Sequence, residues 1–163
     1  MKFNARGLIE PPGIHKLLNE EFEHIFVEDF SNSETRRFLF EQLMVYTERV
    51  RDEVTDSFVQ WIGGSFTTRK NNPKDIDVVT ILKGSILEQK EFQLRELSKF
   101  SGSTKRPIDA YQIGVRETDD PKYLLYELDY IYWMNLFSRT KMNRAGKTYN
   151  RGFVQLNYGN LKI

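Results

Sequence analysis

Hydrophobic positions recur with helical spacing in some segments of the chain and form short continuous runs in others. Apolar residues every three or four positions from Leu39 to Val54 predict a long helix with one buried face. We expect it to start at a capping box, Ser31 to Glu34, and to end near Asp56. A shorter helix is predicted over residues 17–30. It follows residues 1–14, which indicate an irregular arm or a short edge strand.

The second half of the chain alternates strand and helix signals. Apolar runs rich in β-branched and aromatic residues predict strands over residues 58–62, 76–82, 108–115 and 152–158. Between them, a capping box at Ser85 predicts a helix to about Phe100, the loop Ser101–Thr104 follows, and Asp120–Pro121 predicts the start of an aromatic helix to Phe137. The run at 76–82 is apolar on both faces, so it belongs inside the sheet. We therefore expect one α/β or α+β domain over residues 1–163, a small mixed sheet with flanking helices.

The amino-acid composition limits the cellular compartment that we expect and the kinds of catalytic and metal sites that the chain can form. The 163 residues include no cysteine, which excludes disulfide scaffolds, thiol nucleophiles and cysteine zinc sites, and fits a reducing compartment. The chain starts without an apolar signal segment, and its most apolar stretch, 123–137, is shorter than the roughly 20 residues that cross a bilayer. We expect a soluble, cytoplasmic protein that does not bind membranes.

Charge is unevenly distributed although the chain is nearly neutral overall. Six of the 24 basic residues and none of the 23 acidic residues lie in the segment 139–163, so the rest of the chain carries an excess of acid. Such a basic C-terminal segment can contact phosphate on a nucleotide or a nucleic acid, or it can be a solvated loop that balances the acidic body. Both interpretations stay open at this point.

Three aspartates are the candidate catalytic and metal-binding residues. Asp75 and Asp77 lie two apart at a predicted strand, so both carboxylates leave the same face. Asp109 lies in the next predicted strand, which can bring it beside the pair. Carboxylate oxygens are the ligands that Mg²⁺ prefers, and three of them can hold two ions of the kind that assist displacement at phosphorus.

A glycine turn precedes these acids. Gly63 and Gly64 end the predicted strand 58–62 and allow backbone N–H groups to approach an anion closely. A helix beginning near Ser65 would direct its positive end at a phosphate. The candidate nucleotide-binding residues are Gly63, Gly64, Ser65, Thr67, Thr68 and Arg69, and Lys70 could add charge.

An apolar residue, Gly-Gly-Ser, nine residues and Asp-Ile-Asp form a motif from Ile62 to Asp77. In this motif the chain resembles the nucleotidyltransferase-fold superfamily typified by DNA polymerase β and kanamycin nucleotidyltransferase. Segments 3–7, 11–13, 61–79 and 146–156 also resemble a small bacterial nucleotidyltransferase-like family with no implied substrate. Further resemblance to minimal nucleotidyltransferases of toxin–antitoxin and phage-defence systems leaves such a role open.

The resemblance implies a palm-type core and transfer of a nucleoside monophosphate from a nucleoside triphosphate, ATP favoured, to an acceptor hydroxyl on a protein, an RNA end or a small molecule. It implies that Gly64 and Ser65 hold the triphosphate and that Asp75, Asp77 and Asp109 bind Mg²⁺ or Mn²⁺. Two alternatives remain: a catalytically weak module that binds a partner protein, and an RNA-binding protein that uses the basic segment. The aromatic positions of 123–137 fit core, a partner interface or base stacking.

Overall fold

The elements are short and follow the apolar runs of the sequence. The structure, a computed structural model, describes residues 1–100, 107–161 and 163. Its strands are β1 (Lys2–Phe3), β2 (Ile9–Glu10), β3 (Gly13–Leu17), β4 (Phe58–Ile62), β5 (Ile76–Lys83), β6 (Ile108–Val115) and β7 (Gly152–Tyr158). Its α-helices are α1 (Asn19–Phe26), α2 (Arg36–Glu53), α3 (Gly84–Gln89), α4 (Glu91–Phe100) and α5 (Tyr123–Phe137). The predicted loop Ser101–Thr104 lies outside the described residues.

A five-stranded mixed sheet organises the chain, in the order β3-β7-β4-β5-β6. β3 is parallel to β7 and β5 is parallel to β6, whereas β4 is antiparallel to both of its neighbours. β1 and β2 form a separate antiparallel pair. The predicted mixed α+β architecture is confirmed, and β5 lies inside the sheet as expected. β3 is an edge strand, but it begins only at Gly13 and extends three residues beyond the predicted arm, 1–14.

The two faces of the sheet are covered differently. Ile76 and Val78 of β5 join a large buried cluster with α1, α2 and α4, and we call this side the α2 face. Val79 and Ile81 point the other way and pack with α5, on what we call the α5 face. The alternation follows from the two-residue repeat of a strand. Within the described residues, no helix is long and apolar enough to span a membrane.

Both predicted capping boxes are wrong. α2 begins at Arg36, because Ser33 Oγ accepts a hydrogen bond from the Arg36 N–H at 3.2 Å and donates to the carbonyl of Asn71 at 2.7 Å. α3 begins at Gly84 with no side-chain cap, and Glu88 instead accepts hydrogen bonds from Arg116 and Lys122. Neither Ser31 nor Ser85 therefore caps the helix that it was predicted to start, and Glu88 of the second box is bonded to residues distant in sequence.

Two further helix boundaries differ from the prediction. The helix expected from Ser85 to Phe100 is divided at Lys90 into α3 and α4. α5 begins at Tyr123 and not at Pro121, and Asp120 Oδ1 accepts a hydrogen bond from the Lys122 N–H at 2.7 Å just before it. The aspartate thus stabilises the turn that leads into the helix.

The helix expected near Ser65 is also wrong, because residues 64–67 form a turn. The buried guanidinium of Arg36 donates to the carbonyls of Phe66, Thr68 and Lys70 at 2.8, 2.7 and 2.6 Å. Carbonyls that point toward this arginine cannot point along a helix axis. Arg36 therefore fixes the course of the chain after the glycine turn.

Candidate active site

Two aspartates face each other across neighbouring strands. β5 and β6 are parallel with Asp77 in register with Asp109, so their Cα atoms are about 4.8 Å apart. Both positions alternate with residues of the α2 face and so lie on the α5 face. Asp75 lies directly before β5, and all three aspartates are half-buried. The three predicted acids thus come from the end of the sheet where β5 and β6 begin.

The charges of these acids act on one another. The pKa of Asp77 is raised, first by burial and then by the negative charges of Asp75 and Asp109. Lys141 and Arg151 act in the opposite direction and lower it. Since like charges and burial both disfavour the ionised form, a further positive charge near Asp77 would stabilise its carboxylate.

The glycine turn lies against Asp77. The Gly63 N–H donates to the Asp77 carbonyl at 2.9 Å, which fastens the end of β4 to the start of β5. Gly64 has φ +64°, and a Cβ at this position would overlap the Asp77 carboxylate. A Cβ on Gly63 would be 2.8 Å from the ring of Phe137, at the end of α5. Both glycines are therefore required by close packing, and Gly64 also by its backbone conformation.

A buried arginine also contacts the glycine turn. Arg151 directly precedes β7, which pairs with β4, and its side chain is 5% exposed. It donates to the carbonyl of Gly64 at 2.7 Å and to the hydroxyl of Thr67. Burial lowers the pKa of Arg151 to about 10, while Asp77 opposes this shift. Arg151 thus remains charged near neutral pH and holds the turn beside Asp77.

Residues 139–150 form an exposed loop next to the acids. Arg139 and Asn150 bridge its two ends, and the Thr140 N–H donates to the Tyr149 carbonyl at 2.9 Å. The loop carries four of the basic residues of the C-terminal segment, Arg139, Lys141, Arg144 and Lys147, all exposed. The charge of Lys141 acts on Asp77. The loop therefore brings positive charge to the rim of the site.

Asp109 has a partner on its own strand. The hydroxyl of Tyr111 donates to Asp109 Oδ2 at 3.0 Å. The Tyr111 ring in turn contacts Trp133 of α5, with ring centroids 4.3 Å apart. α5 therefore orients a side chain that holds Asp109.

Comparison with known proteins places the chain in one family. A family model described as Family of unknown function (DUF6932) matches residues 1–157. The chain belongs to this family. The part matched by the DUF6932 model includes the glycine turn, the three aspartates and Arg151. No curated protein and no solved structure matches the chain. The description of DUF6932 states no activity.

The acids of this DUF6932 member are of the ligand type that a hard divalent cation prefers. Asp77 and Asp109 occupy paired positions, and the pKa of Asp77 is raised first by burial and then by the charges of Asp75 and Asp109. As the side chains lie, no group of three His, Cys, Asp or Glu residues converges closely enough to hold a metal within the part of the chain that the structure describes. Tyr111 holds one oxygen of Asp109 in this arrangement.

The structure brings only some of the predicted nucleotide-binding residues to the acids. Gly63 and Gly64 contact Asp77, and Ser65 follows them, half-buried, in the turn. The hydroxyls of Thr67 and Thr68 donate within the turn, to the carbonyls of Gly64 at 3.4 Å and Ser65 at 2.7 Å. The guanidinium of Arg69 lies 5.5 Å from the ring of Phe3 and 5.7 Å from that of Phe30.

Sequence reasoning missed two contributors to the site. The sequence places Arg151 in a basic segment that either contacts phosphate or is solvated, whereas the structure buries it against the glycine turn. Arg151 directly precedes an apolar strand, and this position is the sequence signal that could have indicated its burial. Tyr111 has a weaker signal, since it lies two positions after Asp109 and so on the same face of β6.

Proposed function

We propose that the protein is a metal-dependent nucleotidyltransferase with a nucleotidyltransferase-like core. It transfers a nucleoside monophosphate from a nucleoside triphosphate to an acceptor hydroxyl and releases pyrophosphate. One observation carries the proposal: the Asp77 carboxylate lies directly against Gly64 and is repelled by Asp75 and Asp109. A turn suited to phosphate thus adjoins acids suited to a cation.

Asp75, Asp77 and Asp109 would hold Mg²⁺ or Mn²⁺. When bound there, such an ion neutralises triphosphate charge and lowers the pKa of a hydroxyl next to it. The backbone N–H groups of Gly64 and Ser65 bind the triphosphate, while Gly63, whose N–H is bonded to the Asp77 carbonyl, positions the turn. Transfer of this kind depends on positioning and charge, and it needs no separate nucleophile on the protein.

The proton and the leaving group each have a destination. The acceptor oxygen bonds to the α-phosphorus, the bond from that phosphorus to the β-phosphate oxygen breaks, and pyrophosphate leaves. Asp109 accepts the proton of the acceptor hydroxyl, while Tyr111 orients its second oxygen by the hydrogen bond at 3.0 Å. Lys141, at the rim, contributes positive charge toward the departing phosphates.

The test is labelling with α-³²P-ATP, then with the other nucleotides, in an extract that supplies protein, RNA and small-molecule acceptors. We expect Mg²⁺-dependent label in a product and pyrophosphate release, both abolished by EDTA. Asp77→Asn should lower labelling by about 10²–10³-fold. Asp52→Asn, at an exposed position of α2, is the matched control and should label like the wild type. Full activity of Asp77→Asn would contradict the proposal.

The exposed loop 139–150 favours a second candidate function, RNA binding without catalysis. Its four basic side chains are accessible and no acid lies in the loop. Replacing Arg144 and Lys147 by Gln should weaken RNA binding and reduce the slope of log K against log salt by about 2. Arg151 does not belong in this test, because it is buried. Binding unaffected by salt and by both substitutions would exclude this function.

A further inference from the structure

α5 carries apolar residues on every side, interrupted only by Glu127, Asp129 and Asn135, although only one side of it packs on the sheet. Tyr126, Tyr130, Trp133 and Phe137 cover the α5 face. The opposite side carries six large apolar residues that are 44% to 64% exposed; we call this the outer α5 face, consisting of Leu124, Leu125, Leu128, Ile131, Tyr132 and Leu136. Helices that are apolar on all sides are normally buried on all sides.

The outer α5 face is large enough for a stable interface. Its six residues are each 44% to 64% exposed, so together they form a surface comparable with the largest apolar patches, roughly 300–600 Å², on typical monomers. A standard protein interface buries about 800 Å² on each partner. Met142, 69% exposed, lies in the loop that follows α5.

The charges at the two ends of α5 point to the occupant. Before the helix, Glu117 and Asp119 are exposed, while the nearby Arg116 and Lys122 are already paired with Glu88. After the helix, the exposed charges are those of Arg139 and Lys141. A second α5 packed antiparallel places the acidic end of each helix beside the basic end of the other. Parallel packing would place like charges together.

We propose that the outer α5 face is the interface of a homodimer, in which α5 packs antiparallel against α5 of a second copy about a two-fold axis near the middle of the helix. Such an interface is self-complementary, so that each end of the stripe contacts the opposite end of the partner's stripe. The dimer does not depend on the proposed enzymatic activity. It would bury the leucines that the monomer leaves in water.

Sedimentation velocity over a micromolar concentration series tests the dimer. We expect a dimer for the wild type and at least about a 30-fold rise in the dissociation constant for Leu128→Asp. Phe92→Asp is the matched control, because Phe92 is 72% exposed on α4 and outside this surface, so it should leave the dimer intact. A wild type that is monomeric at 100 μM, or a Leu128→Asp variant that dimerises like the wild type, would overturn the proposal. Circular dichroism verifies that both variants fold.

Cross-linking tests the direction of the helices, because the natural chain has no cysteine. In the antiparallel dimer, Leu124 of one copy lies near Leu136 of the other, whereas two copies of Leu124 are about 18 Å apart. A disulfide needs Cα atoms within about 7 Å. We therefore expect Leu124→Cys mixed with Leu136→Cys to cross-link, and neither variant to cross-link alone. Self-cross-linking of each variant, or a monomer whose outer α5 face binds lipid vesicles or a different protein, would overturn the proposal.

Discussion

The α2 face and the α5 face of the sheet differ in how completely helices cover them, and the candidate site lies on the α5 face. On the α2 face, three helices bury a continuous cluster that includes Phe22, Leu43 and Val50, each 0% exposed. On the α5 face a single helix covers the sheet, and the end of the sheet next to it carries three acids and a glycine turn. The same strands supply both faces, since Ile76 and Val78 alternate with Asp77. The comparison shows how a strand anchored on one side can carry repelling carboxylates on the other.

The largest effect should come from the α2 face. Phe22 is fully buried among the rings of Phe26, Phe40 and Phe66. Phe22→Ala should lower the free energy of unfolding by about 3–5 kcal/mol, because it removes a buried ring and leaves a cavity. Chemical denaturation with urea measures this loss.

Tyr130→Ala on the α5 face is the comparison variant. Tyr130 is only partly buried, with its ring 5.0 Å from that of Trp61. We expect a loss of about 1–2 kcal/mol, since less area leaves water on folding. Equal losses for the two variants would mean that both faces contribute alike to stability, contrary to the comparison.

Arg151 should be the most sensitive polar residue at the site end of the sheet. Arg151→Ala leaves the carbonyl of Gly64 and the hydroxyl of Thr67 without their charged donor. We expect the free energy of unfolding to fall by about 2–3 kcal/mol and the pKa of Asp77 to rise further, because a positive neighbour is lost. Thermal or urea unfolding measures the first effect, and NMR titration of the Asp77 carboxyl measures the second.

Arg95→Ala is the matched control for this arginine. Arg95 forms an ion pair with Glu91 on α4 at 2.5 Å, but both side chains are 68% exposed. Its loss should change stability by less than about 1 kcal/mol, as for other exposed pairs. If both arginine variants were equally mild, Arg151 would not be holding the turn.

Gly64→Ala should have a smaller effect on stability and a clear effect on the site. A residue with a side chain at φ +64° costs about 1–2 kcal/mol, and its Cβ would also displace the Asp77 carboxylate. Gly146→Ala separates these two causes, because Gly146 has φ +71° but no atom within 4 Å of its Cβ position. Urea unfolding should show Gly64→Ala to be the more destabilised of the two. A Gly146→Ala variant with the same loss would assign the whole effect to backbone strain.

The strands were predictable from the sequence because their signals are local. Runs of apolar β-branched and aromatic residues predicted β4, β6 and β7 with the bounds that the structure has, and β5 to within one residue. The pairing of Asp77 with Asp109 then follows once β5 and β6 are adjacent and parallel. The site was predictable to the extent that it depends on strand periodicity.

Several of the errors involve side chains with distant partners. Ser33 bonds to Asn71, Glu88 to Arg116, and Arg36 takes the carbonyls that a helix after Ser65 would need. The hydroxyl of Thr67 is directed by Arg151, which is far along the chain. Local patterns carry no information about such contacts, so caps and turn donors could not be assigned from spacing alone.

Asp77→Asn should have the smallest effect on stability, and its sign opposes that of the other variants. The pKa of Asp77 is raised in the folded state, so the folded protein binds this proton more tightly than the unfolded chain does. Stability from this group is therefore present at low pH and is lost as the pH rises from about 3.9 through the folded-state pKa. Asp77→Asn removes this pH-dependent loss of stability. The variant should therefore be slightly more stable than the wild type at pH 7, but not more stable than the wild type at pH 3. Urea unfolding at both values measures the difference.

If the acids bind Mg²⁺, adding this ion should make the wild type more stable than Asp77→Asn at pH 7. A cation at ten times its dissociation constant stabilises the folded protein by about 1.4 kcal/mol. The wild type and the Asp52→Asn control should gain this stability on addition of Mg²⁺, and Asp77→Asn should not, because it lacks a carboxylate that repulsion from Asp75 and Asp109 prepares for a cation. Equal gains in all three proteins would show that Mg²⁺ binds elsewhere. The repulsion among the three aspartates would then not be relieved by this cation.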